Sequence, residues 1–178
     1  VVIIGKGVTP NTGFLAGSGV ETDYGIPVNE FMQTNQPDVY AAGDVAQGYD
    51  LLTGQRKVNA IWPNAGEQGT VAGRNMAGAG VSYSGSIGMN SADFFGLSTI
   101  AAGQTRAGEK DGYEVVRLFP GKNIYLRLVF KDDTLAGYIM VGDTAKAGLL
   151  TALVKEKTPL GKMKAELLRG KIRQRALS

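Results

Sequence analysis

The sequence contains neither cysteine nor histidine, and the two absences exclude several kinds of chemistry within the chain. Without cysteine there are no disulfides, thiolate nucleophiles, iron–sulfur clusters or cysteine zinc sites. Without histidine the chain lacks the usual general base near neutral pH and the commonest metal ligand, so a Ser-His-Asp hydrolase is excluded. We predict no metal site and no catalytic side chain. Any catalysis must rest on a bound cofactor, carboxylates, lysines or tyrosines.

Long apolar runs and an N-terminal targeting pattern are also missing. The longest apolar runs are far shorter than the roughly 20 residues of a membrane helix. No basic stretch precedes an apolar stretch at the N-terminus, so no signal peptide is visible and we expect a cytoplasmic protein. The chain starts at Val1, inside an apolar run, which indicates a piece of a longer protein.

The composition is that of an ordinary globular chain, with 43% hydrophobic and 20% charged residues among 178. The net charge of +3 comes from the last 24 residues, which carry 8 basic and 2 acidic groups. This tail has no aromatic residue, so we expect no nucleic-acid binding. Its apolar residues fit a basic amphipathic helix on a membrane, or a helix packed on its own domain, and we favour the second. These residues are Leu160, Met163, Leu167 and Ile172.

Residues 1–80 have the pattern of part of an α/β domain. We predict buried strands at Val1–Ile4 and Val39–Ala42 and a short helix from Asn11 or Thr12. Residues 24–34 are expected to form an extended pair with Pro27 at a sheet edge, and residues 47–57 a polar loop. A helix is predicted from Pro63 to about Met76. We expect it to pack through a stripe of small residues, comprising Ala65, Gly69, Ala72 and Met76. Gly78–Gly80 ends the helix and marks our predicted domain boundary.

Residues 81–178 have the pattern of a small α+β domain with an antiparallel sheet. We predict a helical turn over Asn90–Phe95, followed by strands over 97–102, 113–118, 123–130 and 134–141, with turn signals between them. Alternation along 125–130 places Leu126, Leu128 and Phe130 on one face. A helix from Asp143 or Thr144 to about Lys155 covers that face. Its apolar residues are Leu149, Leu150, Leu153 and Val154, and a basic helix begins near Leu160.

Two segments carry candidate ligand-binding chemistry. Gly5–Pro10 imitates a dinucleotide loop, but Pro10 stands where the third glycine is needed, so we interpret it as a connector. The stronger motif is 39–46, VYAAGDVA, in which a predicted strand ends in Gly43 and Asp44. Gly43 lets a ligand approach the backbone, and Asp44 can accept hydrogen bonds from a sugar or polyol hydroxyl. An aspartate that only caps a turn fits the same residues.

Several motifs together resemble the C-terminal half of the pyridine nucleotide-disulfide oxidoreductase flavoproteins, nearest the NAD(P)H rubredoxin reductase and nitrite reductase branch. The motifs occur in the family's order: Pro10–Thr12, Gly25–Asn29, Thr34, Pro37–Asp44 and Trp62–Gly69. Met89–Ser91, Phe94–Leu97 and Gly137–Asp143 resemble the C-terminal domain of that branch more loosely. The resemblance implies a partial FAD-binding Rossmann-like domain over 1–80 and a C-terminal interface domain over 81–178.

The resemblance also implies the cofactors and their contacts. FAD would meet Gly43, Asp44, Trp62, Pro63, Asn64 and Gln68. Asp44 would hold a ribityl hydroxyl, and the start of the helix near Pro63 would face the flavin pyrimidine edge. Trp62 would lie beside the isoalloxazine, and a boundary tryptophan that closes an interdomain groove is the alternative. NAD(P)H would bind upstream, because the family's two GxGxxG units are not in this chain.

The implied function is that of the C-terminal part of an FAD-dependent NAD(P)H oxidoreductase. Hydride would pass from nicotinamide to flavin and electrons would pass to an acceptor, while residues 1–178 alone would be inactive. The partners would be the upstream FAD and NAD domains, with a second copy or an electron-acceptor protein as further candidates. The alternative is a non-catalytic module for dimerisation or acceptor docking.

Overall fold

A computed structural model describes residues 1–169, and the chain divides into two units, Val1–Ser86 and Ile87–Ser178. The division lies six residues beyond Gly80. The intervening segment is tied to the first unit by backbone hydrogen bonds, in which the Tyr83 amide donates to the Glu30 carbonyl at 2.7 Å and the Ser86 amide to the Tyr49 carbonyl at 3.0 Å.

The first unit combines a small mixed sheet with one long helix. Strand β1 (Ile26–Pro27) pairs in parallel with β2 (Ala46–Tyr49), which pairs antiparallel with β3 (Arg56–Lys57). Helix α1 spans Trp62–Met76, close to its predicted bounds, and a short 3-10 helix spans Gly13–Leu15. Pro27 lies on an edge strand, as predicted, because β1 ends the sheet order. The core consists of Ile26, Val28, Met32, Ala41, Ala46, Val71, Ala72 and Tyr83.

Three local predictions for the first unit are wrong. Val1–Ile4 is exposed and forms no strand, because a β-branched run becomes a strand only when a neighbour takes up its hydrogen bonds. Val39–Ala42 makes one isolated bridge, Gln33 with Tyr40, and the ladder strand β2 follows the Gly43–Asp44 turn instead of preceding it. The predicted polar loop over 47–57 contains the end of β2 and all of β3.

The buried face of α1 also differs from the predicted small-residue stripe. Gly69 and Met76 are exposed, whereas the buried residues are mainly polar. They are Asn64, Gln68, Val71, Ala72 and Asn75. Polar side chains occupy this face because each finds a hydrogen-bond partner on the backbone or on another side chain of the first unit.

The second unit is a five-stranded antiparallel sheet with helices. Its strands are β4 (Met89–Phe94), β5 (Leu97–Gly103), β6 (Glu114–Gly121), β7 (Ile124–Lys131) and β8 (Thr134–Val141). They lie in the order β4-β5-β8-β7-β6. The antiparallel sheet is confirmed, but the predicted helical turn over Asn90–Phe95 is wrong. This segment is β4, which pairs with β5 across a two-residue tip at Phe95 and Gly96.

Helix α2 (Ala147–Glu156) packs on β5 and β8, and a shorter helix, α3 (Lys162–Leu168), follows it. Leu150, Leu153 and Val154 are fully buried, as predicted, while Leu149 is half-buried. The predicted alternation in β7 holds from Tyr125 to Leu128, but Val129 is buried as fully as Leu128 and Phe130, and the register with β8 shifts between Val129 and Phe130. Leu160 and Leu167 are also buried, which favours a tail helix packed on its own domain, while Ile172 lies outside the described residues. Within residues 1–169, no helix has the length and apolar character required to cross a membrane.

Candidate functional site

The turn at Gly43–Asp44 lies directly against the first turns of α1. Gly43 has a φ of +83°, a left-handed conformation that suits glycine, and a Cβ on it would lie 3.6 Å from the Cβ of Ala65. Its amide donates to the side-chain oxygen of Gln68 at 2.8 Å. The turn and the helix are therefore fixed to each other by a close approach and by a hydrogen bond.

An open cleft of about 390 Å³ lies between this turn and the start of α1. Asp44, Trp62, Ala65 and Gly66 line it. Trp62 is 89% exposed, and a Cβ on Gly66 would meet nothing within 4 Å, so this helix face is open to a ligand. Among residues 1–169 the Asp44 carboxylate has no hydrogen-bond or ion-pair partner. It is therefore a free acceptor at the edge of the cleft.

The start of α1 is the electropositive end of the helix dipole, and its own first turn supplies no charge to balance it. Ile61 is at the N-cap position with no side-chain cap, and the first turn carries no acidic residue. Pro63 has no backbone N–H and suits the first turn. The unsatisfied N–H groups and the helix dipole favour negative charge in front of this end.

Two predicted site residues, Asn64 and Gln68, lie in the interior and not on the cleft wall. Asn64 is 7% exposed, and its side-chain amide donates to the Asn59 carbonyl at 3.1 Å. Gln68 is 1% exposed and bonds to Gly43. The structure thus brings Gly43, Asp44, Trp62 and Pro63 to one surface region, and puts the two amides behind it.

A buried carboxylate, Asp50, organises the loop that leads to α1, and the sequence reasoning missed it. Its Oδ1 accepts from the Leu52 and Thr53 amides and from the Thr53 hydroxyl, and its Oδ2 accepts from the Asn59 side chain at 3.0 Å. Burial raises the pKa of Asp50, but these hydrogen bonds and the nearby Lys57 charge outweigh burial and hold the pKa below its ordinary value. An aspartate three residues before a threonine in a polar loop is the signal that indicates such a turn.

The described residues contain no group of three or more aspartates and glutamates placed to hold a metal ion. The cleft presents one carboxylate acceptor, one aromatic surface and one helix end.

Comparison with known families matches each unit to a different family model. Residues 1–69 match the pyridine nucleotide-disulphide oxidoreductase model, and residues 89–158 match the rubredoxin NAD+ reductase C-terminal domain. The first match contains the Gly43–Asp44 turn and the start of α1. The second contains the five-stranded sheet and α2.

Individual relatives agree with these matches. The chain is 37% identical over 172 residues to the epsilon subunit of the NADH-dependent phenylglyoxylate dehydrogenase of Aromatoleum evansii, covering 94% of this chain. It spans 40% of that relative's length, and 20% and 36% of two other curated relatives.

Two solved structures share the fold. The NADH:rubredoxin oxidoreductase of Clostridium acetobutylicum superposes with a TM-score of 0.67 at 29% identity, covering 84% of this chain and 37% of that one. An FAD-dependent pyridine nucleotide-disulphide oxidoreductase of Desulfovibrio vulgaris gives a TM-score of 0.77 at 24% identity, covering 92% of this chain and 44% of that one. The predicted fold class is confirmed.

Proposed function

Because the chain belongs to the pyridine nucleotide-disulphide oxidoreductases, we propose that it is the C-terminal part of an FAD-dependent NAD(P)H oxidoreductase. The first unit supplies one wall of the flavin site. The observation that carries this proposal is the meeting of the free Asp44 carboxylate, the exposed Trp62 ring and the uncapped start of α1 at one open cleft. The remaining walls come from the upstream FAD and NAD domains of the same enzyme.

The cleft fits the parts of FAD that this wall would meet. Asp44 accepts a hydrogen bond from a ribityl hydroxyl, and Gly43 keeps the backbone close to the chain of the sugar without a side chain in the way. Trp62 would offer its ring to the isoalloxazine, and the start of α1, with Pro63 in its first turn, would face the pyrimidine edge. The positive helix end would favour negative charge there. Asn64 and Gln68 support these contacts from behind.

When bound, FAD would supply the redox chemistry by which hydride leaves NAD(P)H and electrons reach an acceptor. The residues of this chain bind and orient the cofactor, and Trp62 excludes water from the side it covers. Among residues 1–169, Asp44 is the one titratable group that lines the cleft, so the part of these residues is positioning and charge stabilisation.

The experiment that tests the proposal is the FAD dissociation constant of the full-length enzyme with Asp44→Ala. Loss of the acceptor leaves a ribityl hydroxyl unpaired, at a cost of about 1–3 kcal/mol, or about fivefold to 150-fold in affinity. The control is Glu21→Ala, which removes a carboxylate outside the cleft and leaves the affinity unchanged. Equal FAD affinities in wild type and Asp44→Ala would reduce Asp44 to a turn residue.

A second role, as an interface, is favoured by the exposed tip of the β4–β5 hairpin. Phe94 is 60% exposed and Phe95 is fully exposed. Phe95 has a φ of +55°, which is costly for an aromatic residue, and such strain tends to occur at functional positions. We propose that this tip contacts either a second copy of the chain or an electron-acceptor protein. Sedimentation of the full-length protein distinguishes self-association from a monomer.

We further propose a cytoplasmic location, where NAD(P)H is available.

A further inference from the structure

Gln68 joins the Gly43–Asp44 turn to the interior of the first unit. Its side-chain oxygen accepts from the Gly43 amide at 2.8 Å, while its nitrogen lies 3.5 Å from the Tyr83 hydroxyl. Gln68 and Tyr83 are 1% and 4% exposed. The Gln68 amide is therefore engaged through both its oxygen and its nitrogen within the protein, and Gln68 is not among the residues that line the cleft.

The surrounding chain leaves room for this amide at one place in particular. A Cβ on Gly48 would lie 3.0 Å from the Gln68 nitrogen and 3.3 Å from the Tyr83 ring. An added Cβ at position 48 would require the Gln68 amide or the Tyr83 ring to shift by a few tenths of an ångström. Glycine at position 48 therefore leaves room for the Gln68 rotamer that reaches both partners.

The bond to Gly43 constrains the orientation of Asp44. The Gly43 amide is held by Gln68, and the Gly43 carbonyl accepts from the Ala46 amide at 3.0 Å, so both sides of the glycine are fixed. Glycine at φ +83° has wide conformational freedom, and a free Gly43 would let the next residue turn out of the cleft.

From these contacts we propose that Gln68 is a positioning residue that acts through Gly43 to aim the Asp44 carboxylate, and does not touch the flavin. The predicted effect of Gln68 on flavin binding rests on the proposed function. The role of Gln68 in fixing the turn stands on the contacts of the first unit alone.

The first experiment measures FAD dissociation constants in the full-length enzyme for Gln68→Met and for a matched control. Asn75→Leu is the control, because Asn75 lies on the same buried face of α1, is 8% exposed, and bonds to the Phe31 and Val81 backbone away from the cleft. Both variants replace a buried amide by an apolar side chain of similar size. We expect about tenfold weaker FAD binding for Gln68→Met and wild-type affinity for Asn75→Leu, with both unfolding temperatures lowered.

A double-mutant cycle with Asp44→Ala tests whether Gln68 acts through Asp44. We expect Gln68→Met to add less than twofold to the loss already caused by Asp44→Ala, because the positioned group is then absent. Full additivity of the two losses would overturn the proposal and indicate a separate contact of Gln68 with the flavin. Equal FAD affinity in Gln68→Met and Asn75→Leu would also overturn it.

Amide hydrogen exchange at Gly43 supplies a readout that does not depend on FAD. We expect exchange at Gly43 to be at least tenfold faster in Gln68→Met than in Asn75→Leu. Gly48→Ala, a milder change that displaces the Gln68 amide, should accelerate it less. Unchanged exchange in both Gln68→Met and Gly48→Ala would overturn the role of Gln68. A wild-type enzyme that fails to bind FAD would instead overturn the proposed function, while the exchange result still decides the inference.

Discussion

The first unit buries seven polar side chains, whereas the fully buried side chains described in the second unit are apolar apart from the hydroxyl of Tyr138. In the first unit these polar groups hold short strands and turns through bonds to the backbone, as Gln68 does with Gly43 and Asn75 with Val81. In the second unit, long ladder strands and an apolar helix face do the equivalent work, and Tyr138 bonds to Ala147 and Thr151 on α2.

The difference follows from the backbone that each unit contains. The turn with the exposed Asp44 carboxylate and the left-handed Gly43 lies outside the ladder strands, and the buried Gln68 side chain holds it. A continuous sheet covered by helices needs no such bonds and is stable through burial of apolar area. Polar burial therefore marks the part of the chain that carries the candidate site.

The largest expected effect is on the apolar core of the second unit. Leu153→Asp places a charge at a position with 0% exposure between α2 and the sheet. We expect a cost above about 4 kcal/mol and loss of the folded amide spectrum of the second unit by NMR.

The exposed neighbour Lys155→Ala serves as the control, and its unfolding free energy should change by less than about 0.5 kcal/mol. A Leu153→Asp protein with native NMR dispersion in the second unit would show that α2 does not cover that core.

An intermediate effect tests the polar side through Asp50. Asp50→Asn replaces an acceptor of four hydrogen bonds, and we expect the variant to be about 2–4 kcal/mol less stable at pH 7. Because the pKa of Asp50 is lowered on folding, its contribution is complete above the ordinary aspartate pKa and disappears as the pH falls through the folded value.

Urea unfolding of both proteins between pH 7 and pH 2 checks this expectation. The stability difference should shrink below about pH 4. A difference that stays constant down to pH 2 would mean that the charge of Asp50 contributes nothing.

The smallest expected effect is on the exposed tip of the β4–β5 hairpin in the second unit. Asn tolerates the left-handed conformation better than Phe, so Phe95→Asn should raise the unfolding free energy by about 0.5–1 kcal/mol. If the tip is an interface, the same variant should also associate more weakly in sedimentation equilibrium. A variant that is destabilised, or that associates as strongly as wild type, would contradict the strained-interface interpretation of Phe95.

The sequence predicts the second unit better than the first, and particular elements show why. Strand β8 matches its predicted bounds, because local alternation and turn signals suffice for an antiparallel ladder. Strand β4 was missed because Phe95–Gly96 lacks the usual Asn-Gly signal of a two-residue turn. In the first unit, Val39–Ala42 and β2 depend on distant partners that periodicity cannot identify.

Within the candidate site, Asp44 and Trp62 line one cleft with Gly43 and Pro63 as their chain neighbours, and the flavin contacts of all four stay predictions. The interior positions of Asn64 and Gln68 were not predictable. A polar side chain on a helix ordinarily faces solvent, and only the fold shows that a buried backbone group is its hydrogen-bond partner. Asp50 was missed although its turn has a signal in the sequence, an aspartate three residues before a threonine.

The most direct test of the central claim is the environment of Trp62 as FAD binds. The chain has one tryptophan, so a ¹⁹F label on tryptophan gives a resonance that Trp62→Phe identifies in the full-length enzyme. We predict that this resonance shifts in proportion to FAD occupancy and that its solvent isotope effect falls as the ring becomes covered. A Trp62 resonance that keeps its position and solvent exposure at full flavin occupancy would contradict the assignment of this cleft as a wall of the flavin site.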